Sequence, residues 1–220
     1  ALSDIFVAGH QPLSALATVI LQREHKDLQA NDLAQMLAGS LIELSRHQTK
    51  LVGGHTSVAD HAGLGFAVTG MTAKPEVQIK TDITSGISFD LILTKPLGTG
   101  VILAAEMRQL CSADSYESAI RVMLRSNFQA AQIIAQYPQA VMTDVTGFGL
   151  ARHALNLAHR CCAAGVTLFP DACPFITGAL SLSEKGVQSS AFEANQHNLT
   201  RSTLKPHSPS AKLMFDPQTS

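Results

Sequence analysis

Tryptophan is missing from this 220-residue chain, and tyrosine and phenylalanine bring the aromatic share to only 5%. Any core must therefore be built from aliphatic side chains, and the 45% apolar content is ample for one in a chain of this length. Net charge is scarce as well. Sixteen Lys and Arg against seventeen Asp and Glu leave −1, which lacks the basic excess that holds nucleic-acid backbones. Long hydrophobic runs are absent: "VILAA" at 101–105 falls far short of the roughly 20 residues that span a bilayer, and no basic-then-apolar leader opens the residues. Neither nucleic acid nor membrane is an expected partner. The four cysteines, Cys111, Cys161, Cys162 and Cys173, show no CxxC pairing, which excludes a zinc ribbon and a thioredoxin-like motif. The plain expectation is reduced thiols in the cytoplasm, with Cys161 and Cys162 as core-filling side chains. Repeats, low-complexity tracts, a Walker GxxxxGK[ST] and a GxGxxG fingerprint are also missing, so a P-loop or Rossmann reading is poor.

What is present is organised in two halves. "LSALATVILQ" (13–22) reads as a buried strand, and Leu33, Met36, Leu37, Leu41 and Leu44 recur at helical spacing over 31–48 behind an Asn31/Asp32 cap. "KLVGG" predicts a short strand ending in a glycine loop, and "GLGFAVTG" (63–70) a further strand. Residues 71–90, rich in Lys, Thr, Ser and Gly with Pro75, predict an interdomain connection, with the boundary between 72 and 73. Beyond it, 88–109 and 140–161 each read as strand, glycine turn, helix, and 115–137 as one helix capped by Ser115. Such units suggest an α+β or α/β layer. The Ser-, Asn- and Pro-rich tail over 187–212 predicts a surface excursion, and "FDPQTS" a lead into another element.

Three glycine turns fall at expected strand ends: "GGHT" (53–56), "KPLGTG" (95–100) and "DVTGFG" (144–149). Glycine lets backbone N–H groups converge on an anion, so each turn is a candidate phosphate cradle, although glycine turns are more often structural. Asp4 and Asp144 end apolar runs, where a carboxylate suits a hard cation such as Mg²⁺ or caps a helix. Lys95 is positioned to reach a phosphate as a point charge or to stay solvated. His55 is a candidate donor or base. A metal cluster of His55, Asp60 and His61 is discounted because its spacing fits no compact ligand motif. His153 reads as a packed or capping histidine.

The segments "ALSDIFVAGHQP", "LVGGHT", "GFAVTG", "LTKPLGTG", "TDVTGFGLARH" and "FDPQTS", in this order, resemble selenophosphate synthetase (selenide, water dikinase), of the aminoimidazole ribonucleotide synthetase superfamily. The resemblance covers nearly the whole chain. It implies a two-domain α+β fold: an N-terminal ATP-binding and dimerisation domain, partial here (1–72), and a C-terminal α+β domain (73–220), partial at its end. The N-terminal domains of that family pair across a homodimer into a barrel, and ATP with Mg²⁺ lies between the domains. By position, Asp4 and Asp144 match metal-binding aspartates. Asp4, Gly53, Gly54, His55, Thr56 and Lys95 are the expected nucleotide-binding residues. The implied reaction converts ATP, selenide and water to selenophosphate, AMP and phosphate.

The family's glycine-rich segment with its reactive Cys or Sec, its lysine and two further aspartates is not among these residues, nor is the "GGLL" that follows "DPQTS". A truncated piece of a longer polypeptide, with an additional upstream or fused domain and little activity alone, is therefore expected. Two alternatives stay open: a superfamily relative acting on another phosphoryl acceptor, and a non-catalytic dimerisation or regulatory module.

Overall fold

The computed structural model describes residues 1–72, 88–137, 140–199 and 204–219. The chain divides into two compact units, Ala1–Val77 and Gln78–Ser220. The connection expected over 71–90 falls mostly outside the described residues.

In the first unit, a short helix α1 (Leu2–Val7) leads into β1 (His10–Gln22), helix α2 (Lys26–Arg46), β2 (Lys50–Ala59) and β3 (Gly63–Thr72). The sheet order is β2-β1-β3, with β1 parallel to β2 and antiparallel to β3. The long strand is central because its alternate residues Ala15, Ala17, Val19 and Leu21 are buried. Leu33, Met36 and Leu37 of α2 pack on that face together with Leu51 and Phe66. The helix starts earlier than its apolar stripe does. His25 is its cap, with Nδ1 accepting the Asp27 N–H, so Asn31 and Asp32 lie inside the helix rather than before it. On the opposite side of the sheet α2 offers no cover, and Leu16 is 49% exposed.

The second unit, among its described residues, consists of α3 (Thr99–Glu106), α4 (Ala113–Leu124), α5 (Phe128–Ile134), α6 (Gly149–Arg160), a single 3₁₀ turn (Pro170–Ala172), α7 (Ala179–Glu184), α8 (Phe192–His197) and α9 (Pro209–Leu213). Its core gathers around α3, whose Val101, Ile102 and Ala105 are sealed from solvent. The strands expected over 88–94 and 140–144 do not form. Among the described residues, Leu97 makes an isolated bridge to Phe175, while Phe89, Leu91 and Ile92 stay exposed.

Three further expectations are corrected. The helix foreseen over 115–137 is two helices, and its cap is Ser112, whose hydroxyl takes the Ser115 N–H. The supposed surface tail contains α8 and α9 and buries Val187, Phe192, Asn195, Leu199 and Ala211. Cys162 is exposed rather than core-filling, and holds φ 52° just past the end of α6. The bonds from Cys162 N–H to His159 O and Ala163 N–H to Ala158 O there close the helix in the pattern usually given to glycine.

Candidate functional site

A buried helix start leaves backbone donors that must find acceptors. For α3 they come from the far end of the chain. Gln218 Oε1 accepts the N–H groups of Gly98 (2.9 Å) and Thr99 (3.3 Å). Pro217 O accepts Gly100 N–H at 3.1 Å, and Asp216 Oδ2 accepts Val101 N–H at 3.1 Å. In return Thr219 N–H goes to Thr99 Oγ1 at 2.9 Å. Gly98 adopts φ 119°, and a Cβ on Gly100 would stand 2.6 Å from Pro217 O and 2.7 Å from Asp216 Oδ1. Gly100 thus admits the chain's own segment, while Gly98 makes room for Ala179 of α7. The amides expected to cradle phosphate are already donated to protein acceptors.

"FDPQT" is itself packed into this unit, whatever element it leads into. Met214, Phe215 and Asp216 are at most 2% exposed. Desolvation pushes the Asp216 carboxyl up to about 7, against donors from Val101 N–H and Gln218 that favour the charged form. The same segment holds the second glycine turn. Met214 O accepts Ala151 N–H at 2.9 Å, and Gln218 N–H donates to Thr146 O at 3.0 Å. Gly149, at φ 75°, has Phe215 C 2.8 Å from where a Cβ would stand. One run of chain therefore docks both the start of α3 and the start of α6.

Asp144 lies on the irregular stretch before α6 and is partly buried. Among the described residues its carboxylate accepts no hydrogen bond and joins no ion pair, while its charge is felt by His153, whose own pKa is lowered chiefly by burial. Lys95 precedes α3, and its ammonium donates to the carbonyl of Arg125 at the end of α4, a favourable place for a cation. Asp4 sits in the first turn of α1 with its side chain 72% exposed and 3.3 Å from the Ala1 amino group.

The loop expected at "GGHT" is strand. Gly53, Gly54, His55 and Thr56 all lie in β2, opposite Leu16, Ala17, Thr18 and Val19 of β1. A strand alternates faces, so Gly53 and His55 share the uncovered face with Leu16, whereas Gly54 and Thr56 share the α2 face with Ala17. The four residues do not converge on one point. A Cβ on Gly54 would run into the carbonyl of Ala17, so close strand approach accounts for this glycine. Among the described residues no group of three His, Cys, Asp or Glu gathers, which also disposes of a His55, Asp60, His61 cluster.

Sequence reasoning missed Asp216, Gln218 and Asn195 as organising residues. The signal was there: an acid and an amide directly after "KLMF" enter a buried context, where each needs partners.

Comparison with known proteins agrees with this architecture. The family model "AIR synthase related protein, N-terminal domain" matches residues 1–73. Over all of this chain, the selenide, water dikinase of Desulfitobacterium hafniense (strain DSM 10664 / DCB-2) is 34% identical across 222 residues, which are 63% of that protein. The one from Caldanaerobacter subterraneus subsp. tengcongensis is 35% identical over 224 residues, 62% of its length. The solved structure of AaThiL complexed with AMPPCP and TMP shares the fold at a TM-score of 0.59 and 15% identity, covering 98% of this chain and 62% of that one. Residues 1–73 thus match the AIR synthase-related N-terminal domain, and the chain shares the α+β fold of AaThiL. Over its full length the chain is similar to selenide, water dikinases, and it spans just under two thirds of their length.

Proposed function

We propose that the whole protein converts ATP, selenide and water to selenophosphate, AMP and phosphate, one phosphoryl group passing to selenide and a second to water, and that this chain contributes ATP- and Mg²⁺-binding residues to that reaction. The observation that supports it most is the likeness over the entire chain to relatives named for that activity. Asp4 and Asp144 would hold Mg²⁺. The donor set fits: each offers a hard carboxylate outside any cluster of three His, Cys, Asp or Glu among the described residues, so phosphate oxygens and water would complete the coordination, as this ion prefers. The chemistry a bound Mg²⁺ supplies is neutralisation of phosphate charge.

Gly53, Gly54, His55, Thr56 and Lys95 are the proposed nucleotide contacts, the four strand residues all being exposed. For Lys95 the role requires exchange of the Arg125 carbonyl for a phosphate oxygen. Unit 1 would also carry the dimer contact. The exposed side chains Leu16 and Val52 supply apolar surface there, and a second copy is the proposed occupant. No helix among the described residues is long and apolar enough to cross a membrane, and the cytoplasm is the proposed location.

In the whole protein, Asp144→Asn removes selenide-dependent AMP formation, at least about 100-fold, with the unfolding midpoint unchanged. Phosphorus NMR for selenophosphate alongside an AMP assay reads this, and retained turnover refutes the metal role. Failure of selenide to stimulate ATP consumption in the parent protein refutes the acceptor.

A further inference from the structure

The turn that follows Asp144 is pinned from three directions. His153, in the second turn of α6, accepts the Thr146 backbone N–H on Nε2 at 3.2 Å, and the Thr146 hydroxyl lies 3.3 Å from the same nitrogen. Buried Asn195 of α8 donates Nδ2 to Gly147 O at 2.8 Å and to Phe215 O at 3.0 Å. Gln218 N–H donates to Thr146 O at 3.0 Å. Two of these pins grip carbonyls, which many donors can satisfy. The third grips an N–H, and needs an acceptor reaching back from the helix.

An imidazole accepts on Nε2 only when neutral, with its proton on Nδ1. Burial favours that neutral form of His153, while the charge of Asp144 works the other way. The Phe148 ring, with its centroid 6.1 Å from that of His153, lies along the same turn. Lysine or arginine in this place could not accept, and leucine would fill the space but leave the Thr146 N–H without its side-chain partner.

Building on the reading of Asp144 as a cation ligand, we propose that His153 is a positioning residue for Asp144: by accepting the Thr146 N–H it fixes how the turn presents the carboxylate. It touches neither nucleotide nor metal in this role. Partners that orient metal ligands typically govern about 10–100-fold in metal affinity, and the lower end is expected for one acting through the backbone.

The test is Mn²⁺ binding to the whole protein in the presence of AMPPCP, read by electron paramagnetic resonance, with unfolding midpoints measured alongside. His153→Leu weakens Mn²⁺ binding about 10-fold, and His153→Gln, whose side-chain carbonyl can accept the same N–H, recovers it to within about threefold. Equal losses in the two variants, or unchanged affinity in His153→Leu while Asp144→Asn loses the ion, overturn the positioning role and leave the metal reading standing. Retained binding in Asp144→Asn overturns the metal reading, and this inference with it. Should His153→Leu not fold, nitrogen-15 shifts of His153 in the parent protein decide: the Nδ1–H tautomer supports the role, and Nε2–H overturns it.

Discussion

Glycine serves opposite ends in the two units. In β2, Gly53 and Gly54 follow a register shift in a strand whose residues are almost all exposed, and only Gly54 is closely approached, by the backbone of Ala17. In the second unit, Gly98, Gly100 and Gly149 are buried where a distant segment is laid across two helix starts. The same residue type marks a thin, open sheet in one place and a dense crossing of irregular chain in the other. A glycine motif read for anion binding is therefore worth testing first for what backbone it lets in.

The comparison breaks hardest at Gly149. Gly149→Ala combines the left-handed backbone penalty with overlap against the backbone at Phe215, which cannot swing aside. The expected loss of stability is about 4–5 kcal/mol, read by denaturant unfolding followed by circular dichroism. A variant as stable as the parent would mean that the crossing is loose.

Next in size is Asp216. Its folded pKa, about 7, lies above the ordinary 3.8, so the folded state holds a proton that the unfolded chain has released. Stability from this group is full below pH 3.8 and is lost as pH rises through about 7. The window amounts to about 4 kcal/mol at 1.4 kcal/mol per pH unit. Asp216→Asn should flatten that fall between pH 4 and 8. A parent and variant with parallel pH profiles would contradict it.

The smallest effects sharpen the contrast inside β2. Gly54→Ala should cost about 3 kcal/mol because the methyl would overlap the backbone carbonyl of Ala17. Gly53→Ala, with only Leu16 Cδ2 at 3.4 Å, should change stability by less than about 0.5 kcal/mol. Equal costs at the two positions would show that approach of the strands is not what selects glycine here.

These contrasts also explain what the sequence disclosed. β1, α2 and β3 were legible because one strand and one helix carry strong apolar periods that bury locally. The stretch over 88–94 has equal strand character but no ladder among the described residues, since a strand is completed by its neighbour's hydrogen bonds and not by its own residues. His55 was recognised as a candidate, yet its separation from Thr56 by the pleat was hidden until β2 was seen to run unbroken through both glycines. Asp144 and its turn were found by motif. The partners of that turn, Asn195 and Gln218, were not, because they come from sequence positions about 50 and 70 residues away and look like ordinary polar loop residues.

Gln218 reaches back 120 residues to Gly98, and Asp216 reaches 115 to Val101. During synthesis, β1, α2, β2 and β3 can associate once residue 72 has left the ribosome, since every pairing of this sheet lies within the first 72 residues. The start of α3 has no such option: its amides stay hydrated until translation has delivered residue 218, and the closure of so long a loop comes late. The second unit is thus the part a chaperone would have to guard.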